Sequence, residues 1–300
     1  PAVVSASGSL ICIGIFDGVH LGHQSLIASA KDYARQLNLT LIVCTFDPHP
    51  NTVVRPDHAP KLISDINHRK QLLVDCGVEH VEVITFNSQI ANLTPIEFSR
   101  EFLSDRLGAR VVVVGQNFIY GRNGSGDVDT LRENGYECGF EVRVIDLLDS
   151  DGTVSSTRIR ECVRLGQVES AAALLGRNFV LSGKVIRGDQ RGRELGYPTA
   201  NLEWEDQLIV PADGVYAGYL IANGDRMPAA ISIGLNPHFE GKSQRVEAYA
   251  LDRLDLELYG VSVDIEFVAM IREQEVFDSL DGYLTQIAKD VVAIADLLSR

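Results

Sequence analysis

Three hundred residues are enough for about two ordinary domains, each with a core of its own. Hydrophobic residues make up 45% of the chain and charged residues 23%, a balance that excludes wholesale disorder. The formal net charge of −14 argues against a nucleic-acid or membrane-surface partner, but not against a ligand that needs only a local basic site.

Up to about residue 176, apolar runs alternate with helical stretches. LICIGIF, TLIVCTF, VEVITF, VVVVG and FEVRVID read as buried strands of a parallel sheet. Helical patterns lie between them near 22–37, 66–76 and 95–107, and Val168–Leu175 reads as a short closing helix. The alternation predicts a doubly wound α/β domain over 1–176, a Rossmann-like parallel sheet. From 177 to 300 the pattern changes to short strands separated by Gly, Pro, Asn and Asp turns. FVLSGKV, GVYAGYL, AAISIG, RVEAYAL and VSVDIEFV are the clearest, and they predict an antiparallel barrel or sandwich. The chain closes with a helix whose Phe277, Leu280, Leu284, Ile287, Val291, Ile294 and Leu298 form one apolar stripe. Packing against the barrel is the expectation; a coiled-coil dimer is the alternative, for which the stripe is short.

The five cysteines, Cys12, Cys44, Cys76, Cys138 and Cys162, are scattered and show no CxxC spacing. They indicate neither a disulfide framework nor a zinc site. No apolar run reaches the length of a membrane span and no secretory signal is visible, so the chain reads as cytoplasmic.

The first chemistry-bearing segment is GIFDGVHLGH, Gly14–His23, placed after a strand and at the start of a helix. An α/β sheet presents its ligand crevice there, and a helix N-terminus offers unpaired N–H groups to phosphate. His20 and His23 stand at i and i+3 and share a face. Gly22 leaves backbone open to a nucleotide, and Gly14, Phe16 and Asp17 belong to the same expected phosphate cradle. There is no GxxxxGK[ST] run here, so this is not a P-loop. Two further segments follow strands, TFDPHP with Phe46, His49 and Pro50, and VGQNFIYG with Asn117 and Tyr120. Phe118 and Tyr120 read equally as core aromatics. In SSTRIR, Ser156 or Thr157 suits a helix cap with Ser155 beside it. Arg160 shares the face of Ser156, whereas Arg158 is turned away by roughly 200°.

In the second half, GKVIRGDQRGRELGYPTAN (Gly183–Asn201) gathers four glycines and four cationic residues in an acidic chain. Flexible backbone with concentrated positive charge suits phosphate, and Gly183, Lys184, Gly188, Gly192 and Arg193 are the candidates. Thr199 and Asn201, two apart in an extended segment, put a hydroxyl and an amide on one side, a pairing that suits magnesium. A basic hairpin with ordinary turn glycines is the alternative.

In order along the chain, Gly183–Asn201, PADGVYAG, SIGLNPHF and VEAYALD resemble the riboflavin kinase module of the bacterial bifunctional riboflavin kinase/FMN adenylyltransferases. The first half resembles their adenylyltransferase module, with the HxGH signature of nucleotidyltransferases intact, so the resemblance spans essentially the whole chain. It implies a Greek-key β-barrel for the second half. It further implies riboflavin, FMN, FAD and ATP as substrates and products, with Mg²⁺ required in both reactions. Carried over residue by residue, it makes Glu247 the kinase's catalytic glutamate and SSTRIR a second phosphate motif. It gives His20 and His23 the charge developing in adenylyl transfer, and assigns TFDPHP and VGQNFIYG to flavin and adenine binding. One loop departs: the family reads Thr-Asn-Pro-Thr-Phe where this chain has Leu235-Asn-Pro-His-Phe239. Asn236 keeps its expected ligand contact, while the lost threonines bear on the kinase's affinity or rate. A single-activity enzyme with a silenced kinase, or a nucleotide-binding regulator, are the rival readings.

Overall fold

Strands covered on both faces have no polar side to show, which is why the first half reads as unbroken apolar runs. In the computed structural model, residues 8–145, 154–188, 196–235, 244–253 and 255–299 are described. Gly192, Arg193 and Asn236, with the rest of the altered Asn236–Phe239 stretch, lie outside the described residues.

β1 (Ser9–Ile13), β2 (Thr40–Asp47), β3 (His80–Thr85), β4 (Ala109–Gly115) and β5 (Glu141–Ile145) form a parallel sheet in the order β3-β2-β1-β4-β5. Alternate residues feed two cores. Leu10, Cys12, Val43 and Val113 pack with Leu26, Ile27 and Ala30 of helix Leu21–Leu37 and with Leu73 of helix Ile66–Asp75. Ile11, Ile13, Cys44 and Val112 pack on the opposite face with Phe98 and Phe102 of the π-helix Phe98–Arg106 and Leu131 of helix Val128–Cys138. Helices on both faces make the expected doubly wound fold. The helix Val128–Cys138 was not anticipated. Its buried face consists of Leu131, Asn134 and Gly135, too little apolar surface to show a stripe. Its ends do carry signals, an Asp127 cap accepting from the Thr130 N–H and a left-handed Gly139.

The second half closes into a barrel of β6 (Phe179–Ile186), β7 (Ala200–Glu203), β8 (Gly214–Ala222), β9 (Asp225–Leu235), β10 (Gln244–Ala250) and β11 (Ser262–Arg272). Its order is β10-β7-β6-β11-β8-β9, with antiparallel neighbours throughout. The long-range pairs β6–β11 and β7–β10 give the expected Greek-key path. β7 is a four-residue strand that no alternating run announced.

Contacts divide the chain into two compact units, Pro1–Pro60 with Ile66–Ser155, and Lys61–Asp65 with Ser156–Arg300. Helices Ser156–Arg164 and Val168–Leu175 bury Ile159, Val163, Val168 and Leu175 in the same core as Phe179 and Leu181 of the barrel. The division therefore falls ahead of the boundary at 176 expected from the change in pattern, because a helix belongs to the core it buries into. Lys61–Asp65 also joins the barrel unit, where Leu62 bridges Leu208. The helix Leu280–Leu298 lies on the barrel's outer face, with Val291, Ile294 and Leu298 packed near Val215, Ala217 and Tyr249.

Candidate active sites

In the first unit, β1 runs into the turn Gly14–His20, and His20 caps helix Leu21–Leu37, its Nδ1 accepting from the His23 N–H at 3.3 Å. The i, i+3 spacing brings the two imidazoles into a stack, centroids 3.6 Å apart and planes 17° apart. The Phe16 ring meets His23 edge-on at 5.2 Å. Two non-glycine residues of the turn take positive φ, Phe16 at 53° and Val19 at 39°. That conformation is costly for a β-branched residue and survives only when the surroundings enforce it. A Cβ on Gly14 would lie 3.1 Å from the Phe16 ring, and one on Gly22 would lie 3.2 Å from His20 Cε1. Both glycines thus make room for the rings of the site. Phe16, Asp17 and His20 are buried, and His23 is partly open.

The carboxyl ends of the neighbouring strands carry the other expected segments. At the end of β2, Phe46 is buried edge-on to Phe86 at 5.8 Å. His49 caps the short helix Pro50–Val54, its Nδ1 accepting from the Asn51 N–H at 3.1 Å. Past β4, Asn117 is exposed, whereas Tyr120 is a core residue. The Tyr120 hydroxyl accepts from Asn134 Nδ2 at 2.8 Å, and burial raises its pKa above the ordinary value. Sequence reasoning passed over Arg69. It is 1% exposed, donates to Phe46 O at 3.0 Å, and lies 3.8 Å from Asp17 Oδ1. Nothing in the run His68-Arg69-Lys70 marks the middle residue; only the fold turns it inward.

In the second unit, helix Ser156–Arg164 directs Ile159, Cys162 and Val163 into the core. Ser155, Ser156 and Arg160 are partly buried, while Thr157 and Arg158 are exposed.

On the barrel, Val246, Ala248 and Ala250 of β10 point into the core, which leaves Glu247 and Tyr249 on the outer side. The register sets Glu247 opposite Asn201 of β7 and Ser232 of β9. Thr199 Oγ1 donates to Glu247 Oε2 at 3.2 Å, and Arg245 Nη1 lies 3.3 Å from Glu247 Oε1. Asn201 is 8% exposed, and among the described residues its buried Oδ1 has no hydrogen-bond partner. A Cβ on Gly188 would fall 2.5 Å from the Asn201 amide carbon, so the glycine lets the amide lie flat against the backbone. Gly183 has a different task, since its Cβ would fall 2.4 Å from Glu203 O, and bareness there lets β6 and β7 close. Lys184 is exposed beside Glu203. The site also gains groups that the motifs did not mark. Gln274 Nε2 donates to Ser232 Oγ at 3.0 Å, and Tyr283 of the C-terminal helix has its pKa raised by burial and by the Glu247 charge.

A nucleotide-type parallel sheet with stacked histidines at a helix start, and a barrel with a carboxylate beside a hydroxyl and a buried amide, define a transferase with two modules. A family model described as FAD synthetase matches residues 3–158, and one described as riboflavin kinase matches residues 175–298. The chain belongs to the bifunctional riboflavin kinase/FMN adenylyltransferase family. It is 36% identical to the protein of that name from Bacillus subtilis (strain 168), over 94% of this chain and 90% of the relative. It is 33% identical to that from Escherichia coli (strain K12), with the same coverage. A crystal structure of a protein called macrolide-efflux protein from Streptococcus pneumoniae superposes with a TM-score of 0.85 at 33% identity, covering 96% of this chain and 94% of that one. Among the described residues no helix is long and apolar enough to cross a membrane. The protein is an ATP-dependent enzyme that phosphorylates riboflavin to FMN and adenylylates FMN to FAD.

Proposed function

We propose that Glu247 is the general base of riboflavin phosphorylation and that Thr199 and Asn201 hold a magnesium ion beside it. The residues fit such an ion. Asn201 presents a buried oxygen with no partner among the described residues, and Thr199 adds a hydroxyl oxygen, both hard donors of the kind Mg²⁺ takes. The chemistry such an ion would supply, held by Thr199 and Asn201, is Lewis-acid compensation of charge developing on the phosphates. Glu247 takes the proton from the terminal hydroxyl of riboflavin as that oxygen attacks the γ-phosphorus of ATP, the bond from the γ-phosphorus to the β,γ-bridging oxygen breaks, and ADP leaves. Thr199 and Arg245 each engage one carboxylate oxygen and fix its orientation. Gly183, Lys184 and Gly188, with Gly192 and Arg193, are assigned to the phosphates, and Asn236 to the flavin or nucleotide.

For the second reaction, a phosphate oxygen of FMN attacks the α-phosphorus of ATP and pyrophosphate leaves. His20 and His23 donate to the oxygens that gain charge, helped by the first N–H groups of their helix. Gly14, Phe16 and Gly22 shape that turn. Ser155, Ser156, Thr157 and Arg160 are assigned to the triphosphate. Phe46, His49, Pro50, Asn117 and Tyr120 are assigned to the flavin and adenine, Tyr120 by filling the pocket wall. ATP as the donor in both steps points to the cytoplasm as the working compartment.

The observation that carries this reading is the row Asn201–Glu247 with Thr199 Oγ1 at 3.2 Å from the carboxylate. The test is Glu247→Ala, assayed in one tube with riboflavin and in another with FMN, each with ATP and Mg²⁺. FMN formation is expected to fall by about 10²–10⁴ while FAD still forms from FMN. Equal loss of both activities in a folded protein would overturn the assignment.

A further inference from the structure

We infer that Arg69 is a positioning residue for adenylyl transfer, holding the histidine turn and the end of the neighbouring strand with one buried guanidinium. The inference rests on the reading of His20 and His23 as the adenylyl-transfer groups. Arg69 enters from helix Ile66–Asp75 and is 1% exposed. Its Nη1 donates to Ile15 O at 3.3 Å, to Thr45 Oγ1 at 3.3 Å and to Phe46 O at 3.0 Å. Its Nη2 stands 3.8 Å from Asp17 Oδ1. Thr45 Oγ1 in turn donates to Ile15 O at 2.7 Å, which closes the group.

Ile15 and Asp17 flank Phe16, the residue held at φ 53° with its ring against His23. Thr45 and Phe46 lead directly into the segment that ends in His49. Because β1 and β2 are parallel neighbours, one planar fork reaches both segments where they leave the sheet. A backbone in that conformation keeps its shape only when its surroundings over-determine it, and Arg69 supplies the restraint. Asp17 then serves as the partner of Arg69. An acidic side chain is a poor phosphate contact, and standing 3.8 Å from Arg69 explains why one is in the turn. A lysine would bring a point charge without the fork and hold fewer of these acceptors.

The test compares full-length Arg69→Met and Arg69→Lys with His23→Ala, measuring both activities and thermal unfolding. Arg69→Met is expected to lower kcat for FAD formation by about 10²-fold, and Arg69→Lys by about tenfold, as small misplacements of reacting groups do. KM for ATP and FMN stays within about threefold and riboflavin phosphorylation is unchanged. A merely structural role would lower the unfolding temperature and leave kcat per folded molecule intact, which overturns the inference. Wild-type kcat in both Arg69 variants, with His23→Ala inactive in FAD formation, overturns the inference alone. Full adenylylation by His23→Ala overturns the site assignment and this inference with it. Should Arg69→Met unfold the first unit, Arg69→Lys decides by the same split between kcat and KM.

Discussion

Asn201 owes its place opposite Glu247 to a glycine thirteen positions earlier in the chain. The amide packs flat because position 188 has no Cβ; one added there would lie 2.5 Å from the amide carbon, oxygen and nitrogen alike. Gly188→Ala is therefore expected to push the amide aside and depress FMN formation, with FAD synthesis from FMN unchanged. Steady-state rates for the two substrates check it, and equal rates before and after the change would refute it. Asn201→Ala removes the buried oxygen itself. The Mg²⁺ concentration for half-maximal kinase activity is expected to rise by at least about tenfold, the cost of losing even a supporting group at a metal site. The Mg²⁺ dependence of FAD formation should not move. At this level the sequence was readable wherever geometry is local. The spacing of His20 and His23 put them on one face, and the stacked rings at 3.6 Å agree. Alternation put Glu247 on the opposite side from Val246 and Ala248, as found. That Glu247 faces Asn201 depends on the pairing of β10 with β7 across more than forty residues, and no local pattern carries such a register.

Among the elements, the C-terminal helix shows both what a stripe reveals and what it hides. Val291, Ile294 and Leu298 pack on the barrel as their spacing foretold, but Leu280 at the helix start is 58% exposed. The packed face also contains Asp290, buried and paired with Arg272 of β11 at 2.8 Å, with Gln286 Nε2 donating to its other oxygen at 2.8 Å. Breaking such a pair by removing one partner costs about 3–5 kcal/mol, since the other charge is left without its counterion in a shielded place. Asp290→Ala is thus expected to lower the stability of the barrel unit by an amount approaching that range, measured by urea unfolding. A change below about 0.5 kcal/mol would show that the helix is held by its apolar contacts alone. The same logic explains the hidden elements. Helix Val128–Cys138 buries Asn134 and Gly135, and β7 is only four residues long, so neither presents a periodic apolar signal.

For the molecule as a whole, each unit holds groups whose protons are gripped more tightly in the folded state, with Cys12 and Tyr216 among them. Burial raises the Cys12 thiol in the first unit from 9.0 to about 12. In the second unit burial, with Asp213 and Glu169, raises the Tyr216 phenol from 10.0 to about 12. Both groups are neutral when folded and would ionise earlier when unfolded. Their stabilising contribution is therefore complete below the ordinary values and is lost as pH climbs toward about 12. Unfolding temperature is expected to fall between pH 9 and pH 12, and Cys12→Ala should flatten that fall for the first unit. A pH-independent melting temperature across this window would refute it. The division into two units with separate cores predicts a second result. Mixing His23→Ala protein with Glu247→Ala protein should restore FAD formation from riboflavin, because FMN made by one can be used by the other. No FAD from the mixture, while each variant keeps its remaining activity, would refute that.

By itself the sequence determined the two grammars of the chain, the parallel α/β half and the barrel half, because side-chain periodicity reports burial one element at a time. It also set His20 beside His23 and turned Glu247 away from Val246 and Ala248, because helix and strand periodicities act over a few positions. The tertiary structure decided which core each helix joins, so that Ser156–Leu175 and even Lys61–Asp65 pack with the barrel. It also decided that Arg69 turns inward to Asp17 and that Glu247, Asn201 and Ser232 line up across three strands. These depend on contacts between residues far apart in the chain, and such contacts exist only once the sheet and the barrel have closed.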